Sequence, residues 1–164
     1  MVEPGALAPT VETTPPLPRG VRLGLDVGKA RIGVAGSDPD GLMAMPISTV
    51  KRGAPADTAE IVEIATDRNA KVIYIGLPKH MSGKEGESAA DARQFASKLA
   101  SKLPDIEFRF IDERLTTVTA TANLQAAGRK ANRQKSVIDQ QAAVIILQSG
   151  LDTERVSGRR AGGE

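Results

Sequence analysis

Two short β-rich runs, Val21 to Val27 and Arg31 to Gly36, are separated only by Gly28-Lys29-Ala30, a connection with the length and chemistry of a hairpin. A third run, Leu42 to Val50, follows the turn residues Asp38-Pro39-Asp40-Gly41 and completes a three-strand meander. The period then changes. Ala59, Ile61, Val62 and Ala65 recur near helical spacing within Ala56 to Arg68, and Val72 to Leu77 is continuously apolar, as a strand covered on both faces requires. Ala92, Phe95, Ala96, Leu99 and Leu103 form a second helical stripe, and the strand Glu107 to Asp112 follows it. Two more helical patterns, Thr117 to Ala127 and Val137 to Ser149, flank a polar loop that contains glycine. The order βββαβαβα predicts an α/β fold: a mixed five-stranded sheet with helices on both faces. In such sheets chemistry gathers at the carboxyl ends of the parallel strands.

Outside this series the patterning stops. Five of the ten prolines fall within residues 1–18, among Thr, Ala and Glu, and this stretch reads as a disordered leader. Residues 152–164 hold too little apolar surface to pack and read as a mobile tail, which leaves 19–151 as the folded unit. A chain of 164 residues suits one such domain. No apolar run is long enough for a signal peptide or a membrane span, so the expected location is the cytoplasm, with no membrane partner. There is no cysteine and only one histidine, His80. A metal would therefore sit on oxygen ligands, which favours Mg²⁺ or Mn²⁺.

The net charge of +2 hides an uneven distribution. Between residues 19 and 151 there are nineteen basic and fifteen acidic side chains, a balance that permits a nucleic-acid partner without demanding one.

Three acids stand where chemistry is expected. Asp26 ends an apolar strand, beside Gly28 and Gly33, which would let the turn approach a ligand; a carboxylate there is costly unless it is exposed or bound to metal. The alternative is an ordinary hairpin-turn aspartate. Asp112-Glu113-Arg114 ends the last strand, where alternation allows only one of the two acids to face a given site. Its alternative is a solvated strand end neutralised by Arg114. Asp139 lies at the expected start of the final helix, three residues after Ser136, and would serve equally as a helix-capping carboxylate. Together Asp26, Glu113 and Asp139 are the kind of set that two-metal hydrolysis requires, with oxygens converging on two ions about 3.5–4 Å apart. Their spacing along the chain does not itself establish that they converge.

Gly128 to Lys135 contains Arg129, Lys130, Arg133 and Lys135 and no acid, and reads as a basic loop able to clamp phosphates or simply to be solvated. Lys79, His80 and Lys84 form a second basic loop after Leu77-Pro78. His80 suits a phosphate contact or a bystander better than a general base, because no partner can be assigned to it. Tyr74, Phe95, Phe108 and Phe110 all fall in apolar patterns, which leaves few aromatics for stacking on unpaired bases.

Gly24-Leu25-Asp26-Val27-Gly28, Arg31-Ile32-Gly33-Val34-Ala35, Ile75-Gly76-Leu77-Pro78, Asp112-Glu113-Arg114-Leu115-Thr116-Thr117 and Asp139-Gln140-Gln141-Ala142-Ala143 closely resemble, in order, the YqgF/RuvX family. That family is described both as Holliday junction resolvases and as nucleases maturing the 5′ end of pre-16S ribosomal RNA. The similarity spans nearly all of residues 20–150; the first motif alone would also open sugar kinases and actin-like ATPases. The resemblance implies an RNase H-like fold and a metal-dependent endonuclease acting on structured RNA or branched DNA. It matches Asp26, Glu113 and Asp139 to the acidic triad and Gly128 to Lys135 to a flexible basic loop. By fold analogy Asp26 would bridge the metals while Glu113 and Asp139 complete their shells. Lys29, Arg31, Lys79 and Arg114, with the four cations of the basic loop, are the expected nucleic-acid contacts. A monomer would suffice to trim an RNA end, whereas two-fold resolution of a four-way junction suits a homodimer. A competing class is a non-catalytic nucleic-acid-binding factor in transcription or ribosome assembly. An actin-like ATPase ranks last, because the chain is short for two lobes and shows no second phosphate-binding turn.

Overall fold

The computed structural model describes residues 17–115 and 131–163. The strands β1 (Arg22–Val27), β2 (Arg31–Ser37) and β3 (Ala44–Lys51) form the expected meander. Helix α1 (Ala56–Asp67), β4 (Val72–Leu77), α2 (Glu87–Lys102) and β5 (Glu107–Asp112) follow. A single 3₁₀ turn, Glu113–Leu115, closes β5, and the last element is the long helix α3 (Ala131–Ser157). The sheet order is β3-β2-β1-β4-β5. β1 pairs antiparallel with β2 and parallel with β4, and β4 pairs parallel with β5. The helical pattern at 117–127 lies outside the described residues, as does the leader apart from residues 17 and 18.

The alternation of side chains across the pleat decides what each strand offers to each layer. Leu23 and Leu25 of β1, Ile73 and Ile75 of β4, and Phe108 and Phe110 of β5 point to the layer of α1 and α2, with Ile61, Phe95 and Leu99. Tyr74 and Ile111 point to the opposite layer, where Ile146, Leu147 and Leu151 of α3 cover them. Gly24 and Gly33 let α3 lie directly on the sheet. A Cβ at Gly33 would stand 1.8 Å from the Asp139 carbonyl oxygen, and one at Gly24 would stand 2.8 Å from that of Ala143. The role expected for Gly33, room for a ligand, is therefore taken by the backbone of α3.

Three expectations need correction. Residues 131–135 of the expected basic loop are helical within α3, and Asp139 sits inside that helix rather than capping its N-terminus. The helix also runs beyond residue 149, to Ser157. The expected mobile tail is instead held in place: Arg22 donates to Glu154 through Nη2 at 2.8 Å and Nε at 3.0 Å, and Arg160 donates to it at 3.1 Å. Tyr74 Oη also donates to Glu154 and accepts from the Ala161 N–H. Gly163 then bridges to Phe110 on β5. Charged residues can thus anchor a segment whose apolar content is low, provided each buried charge has a partner.

Candidate active site

The pleat places one acid from each of two parallel strand ends on the α3 side of the sheet. Asp26 follows Gly24 by two residues and shares its face, toward α3. Glu113 follows Ile111 by two residues and lies on the same side. A Cβ at Gly76 of β4 would stand 2.5 Å from Ile146 Cδ1 of α3 and 3.1 Å from Glu113 Oε2, so this glycine admits both the helix side chain and the carboxylate on the α3 face. Asp139 arrives from above, where α3 crosses Gly33, the register partner of Asp26. Asp112, one residue out of phase, turns away and is held by Arg114 at 2.6–3.1 Å, with Lys79 at 4.0 Å. The two adjacent acids are thereby sorted: Glu113 goes to the site and Asp112 to its rim.

Electrostatics separates them in the same way. Burial, then the nearby charges of Glu113 and Asp139, push the Asp26 carboxyl up to about 7. Burial and the charge of Asp112 also raise Glu113. Arg114 holds Asp112 below the usual carboxylate range through its hydrogen bonds. Asp26 has no cationic partner among the described residues. Asp139 does: its Oδ2 accepts from Arg31 Nε at 2.8 Å.

A buried carboxyl made reluctant to ionise by two other acids is a place where a divalent cation would be stabilised. The donor set therefore fits a hard cation. As arranged, no three such side chains among the described residues are placed to hold a metal together, and Arg31 occupies one oxygen of Asp139.

The expected nucleic-acid contacts fall in three groups. Lys29, in the β1–β2 turn, is exposed and 3.9 Å from Glu87. Arg31, Lys79 and Arg114 border the acids and are paired with Asp139 or Asp112. Arg129 and Lys130 lie outside the described residues; Arg133 and Lys135 fall within α3, with side chains outside the described set. Sequence reasoning gives Gly76 no role, although a glycine within a strand signals the close approach of another group.

A meander continued by two parallel strands, with helices on both faces and acids gathered at the strand ends, is an RNase H-like fold. The T. thermophilus RuvC in complex with a Holliday junction substrate shares it, with a TM-score of 0.53 at 14% identity, over 87% of this chain and 99% of that one. A family model described as "RuvX: Holliday junction resolvase" matches residues 20–153. A Streptomyces coelicolor protein named "Putative pre-16S rRNA nuclease" is 47% identical over 149 residues, covering 90% of this chain and 89% of the relative. One of the same name from Clavibacter sepedonicus is 50% identical over 145 residues, covering 87% and 89%. The chain belongs to the RuvX family.

Proposed function

We propose that this protein is a metal-dependent endonuclease that hydrolyses phosphodiester bonds at Asp26, Glu113 and Asp139, with the 5′ end of pre-16S ribosomal RNA as its substrate. The observation that carries the reading is Asp26: a buried carboxyl at a strand end, loaded by two further acids and without a cation of its own among the described residues. The names of the curated relatives support the RNA substrate.

Asp26, Glu113 and Asp139 would hold Mg²⁺ or Mn²⁺. When bound, two such ions polarise a water and stabilise the leaving oxygen. Asp26 contributes a ligand whose burial strengthens its preference for a cation over water. Gly76 leaves space on this face that Glu113 shares with Ile146 of α3. Arg31 keeps Asp139 oriented and, with Lys29, Lys79 and Arg114, presents positive charge to the phosphates that flank the scissile bond.

A second reading, resolution of branched DNA, is favoured by the family description and by the fold shared with RuvC. One experiment separates them. The purified protein is incubated with Mg²⁺ or Mn²⁺ and either a pre-16S RNA 5′ end or a four-way DNA junction, beside Asp26→Asn. Cleavage of the RNA that is lost in the variant is the expected result, and cleavage of the junction alone would favour the second reading. Salt-sensitive binding of either substrate without cleavage that depends on Asp26 would sink the nuclease reading and leave a binding factor.

A further inference from the structure

The turn after β4 is tied more closely than a solvent loop requires. Lys79 pairs with Glu85 across an antiparallel bridge, the His80 N–H donates to the Lys84 carbonyl at 2.9 Å, and the Gly83 N–H donates to the His80 carbonyl at 2.8 Å. This is a hairpin with the three-residue loop Met81-Ser82-Gly83, whose last residue takes a left-handed backbone at φ +92°. Arg93 clamps Glu85 through two bonds of 2.7 Å. From the other side Arg114 donates to the Met81 carbonyl at 3.3 Å while it holds Asp112. Asp112 immediately precedes Glu113, so the hairpin is fastened to the strand end that carries the site.

At the tip of this hairpin is an apolar side chain. Met81 is 91% exposed, the most exposed of the large hydrophobic residues described. A single exposed hydrophobe is ordinary on a protein surface. This one is presented by a hydrogen-bonded turn, flanked by Lys79, His80 and Lys84, and joined through Arg114 to the rim of an acidic site. Lys84 has no ionic partner among the described residues. Cations on the stems suit phosphates, while an unbranched, polarizable thioether at the tip suits the flat face of a base.

We infer that Met81 is a wedge that packs on a base exposed at a helix discontinuity, a branch point or duplex end, and thereby selects such positions for cleavage. An uninterrupted duplex offers the tip no base face unless a step is unstacked, so discrimination against it follows from the geometry. The inference rests on the nuclease reading for the location of the site, but its test is one of binding.

The full-length protein carrying Asp26→Asn is titrated onto two probes. One is a four-way DNA junction with 2-aminopurine beside the crossover; the other is an RNA stem with 2-aminopurine in its last pair and a 5′ single strand. The expected result is a rise in fluorescence on binding, and a preference over an uninterrupted duplex that falls about tenfold when Met81→Ser is added, as for loss of one buried apolar contact. Met81→Leu retains both. A response with one nucleic acid alone supports the wedge and identifies its substrate. Unchanged signal and preference in Met81→Ser overturn it, as does a loss that affects the uninterrupted duplex equally. No signal even with Met81 in place also overturns it and leaves the tip for a protein contact. Absence of cleavage by the protein with Asp26 intact would refute the nuclease reading without touching this result.

Discussion

Asp26 carries a conflict that should be measurable without any substrate. In the unfolded chain its carboxyl ionises near the ordinary 3.8, whereas in the folded protein it does so only near about 7. Between those values the folded form keeps a proton that the unfolded form has released, so stability falls as pH rises through this window. Above it the cost of a buried, crowded charge is fully present. Asp26→Asn removes that charge. Free of divalent ions, the variant is expected to exceed the wild type in stability by roughly 2–4 kcal/mol at pH 8, with the gap closing toward pH 4. Urea denaturation at several pH values reads this directly, and adding Mg²⁺ at pH 8 should stabilise the wild type much more than the variant. Parallel pH profiles for the two proteins would mean that Asp26 is not the strained group.

At the scale of elements, the buried charges at the far end of α3 decide whether the chain's last residues dock. Arg22 and Glu154 are 4% and 7% exposed, and Glu154 also receives Arg160 and Tyr74. Glu154→Ala leaves the Arg22 guanidinium buried beside two backbone carbonyls without its counter-charge, and a loss of about 3–5 kcal/mol is expected in thermal or urea unfolding. A loss under 1 kcal/mol would mean that the apolar contacts of α3 hold this end alone. The network also explains where the sequence was legible. β1, β4 and β5 announce themselves by local alternation or continuous apolar runs, which need no knowledge of distant residues. The docking of residues 152–163 depends on Arg22, 132 positions from Glu154, and no local pattern signals that pairing. The helical state of residues 131–135 was obscured for a related reason: Arg133, Gln134 and Lys135 have no apolar period, so a polar helix there reads as a loop. With those residues helical, the capping role considered for Asp139 disappears, while its place in the triad remains available.

For the whole molecule the open quantity is how the positive charge is shared between the acids and a polyanion. The modest excess of bases over acids cannot answer this, because Arg31 and Arg114 are already committed to Asp139 and Asp112. A phosphate must therefore either displace those pairs or rely on cations beyond them. Binding as a function of salt distinguishes the two, since each phosphate neutralised on a duplex adds about −0.9 to the slope of log K against log salt. If Lys29, Arg31, Lys79 and Arg114 all contact phosphate, a slope of about −3.6 is expected on the junction from them alone. If Arg129, Lys130, Arg133 and Lys135 join them, the slope approaches about −7. The Asp26→Asn protein is suited to this titration because it is expected to bind without cutting. Replacing the four cations of residues 129–135 with Gln should then halve the slope, reducing affinity most at low salt. A slope near −3.6 in both proteins would leave phosphate binding to the rim of the acidic site. A slope near zero in the unsubstituted form would mean that the paired arginines never leave their carboxylates, and would remove the electrostatic basis for any nucleic-acid partner.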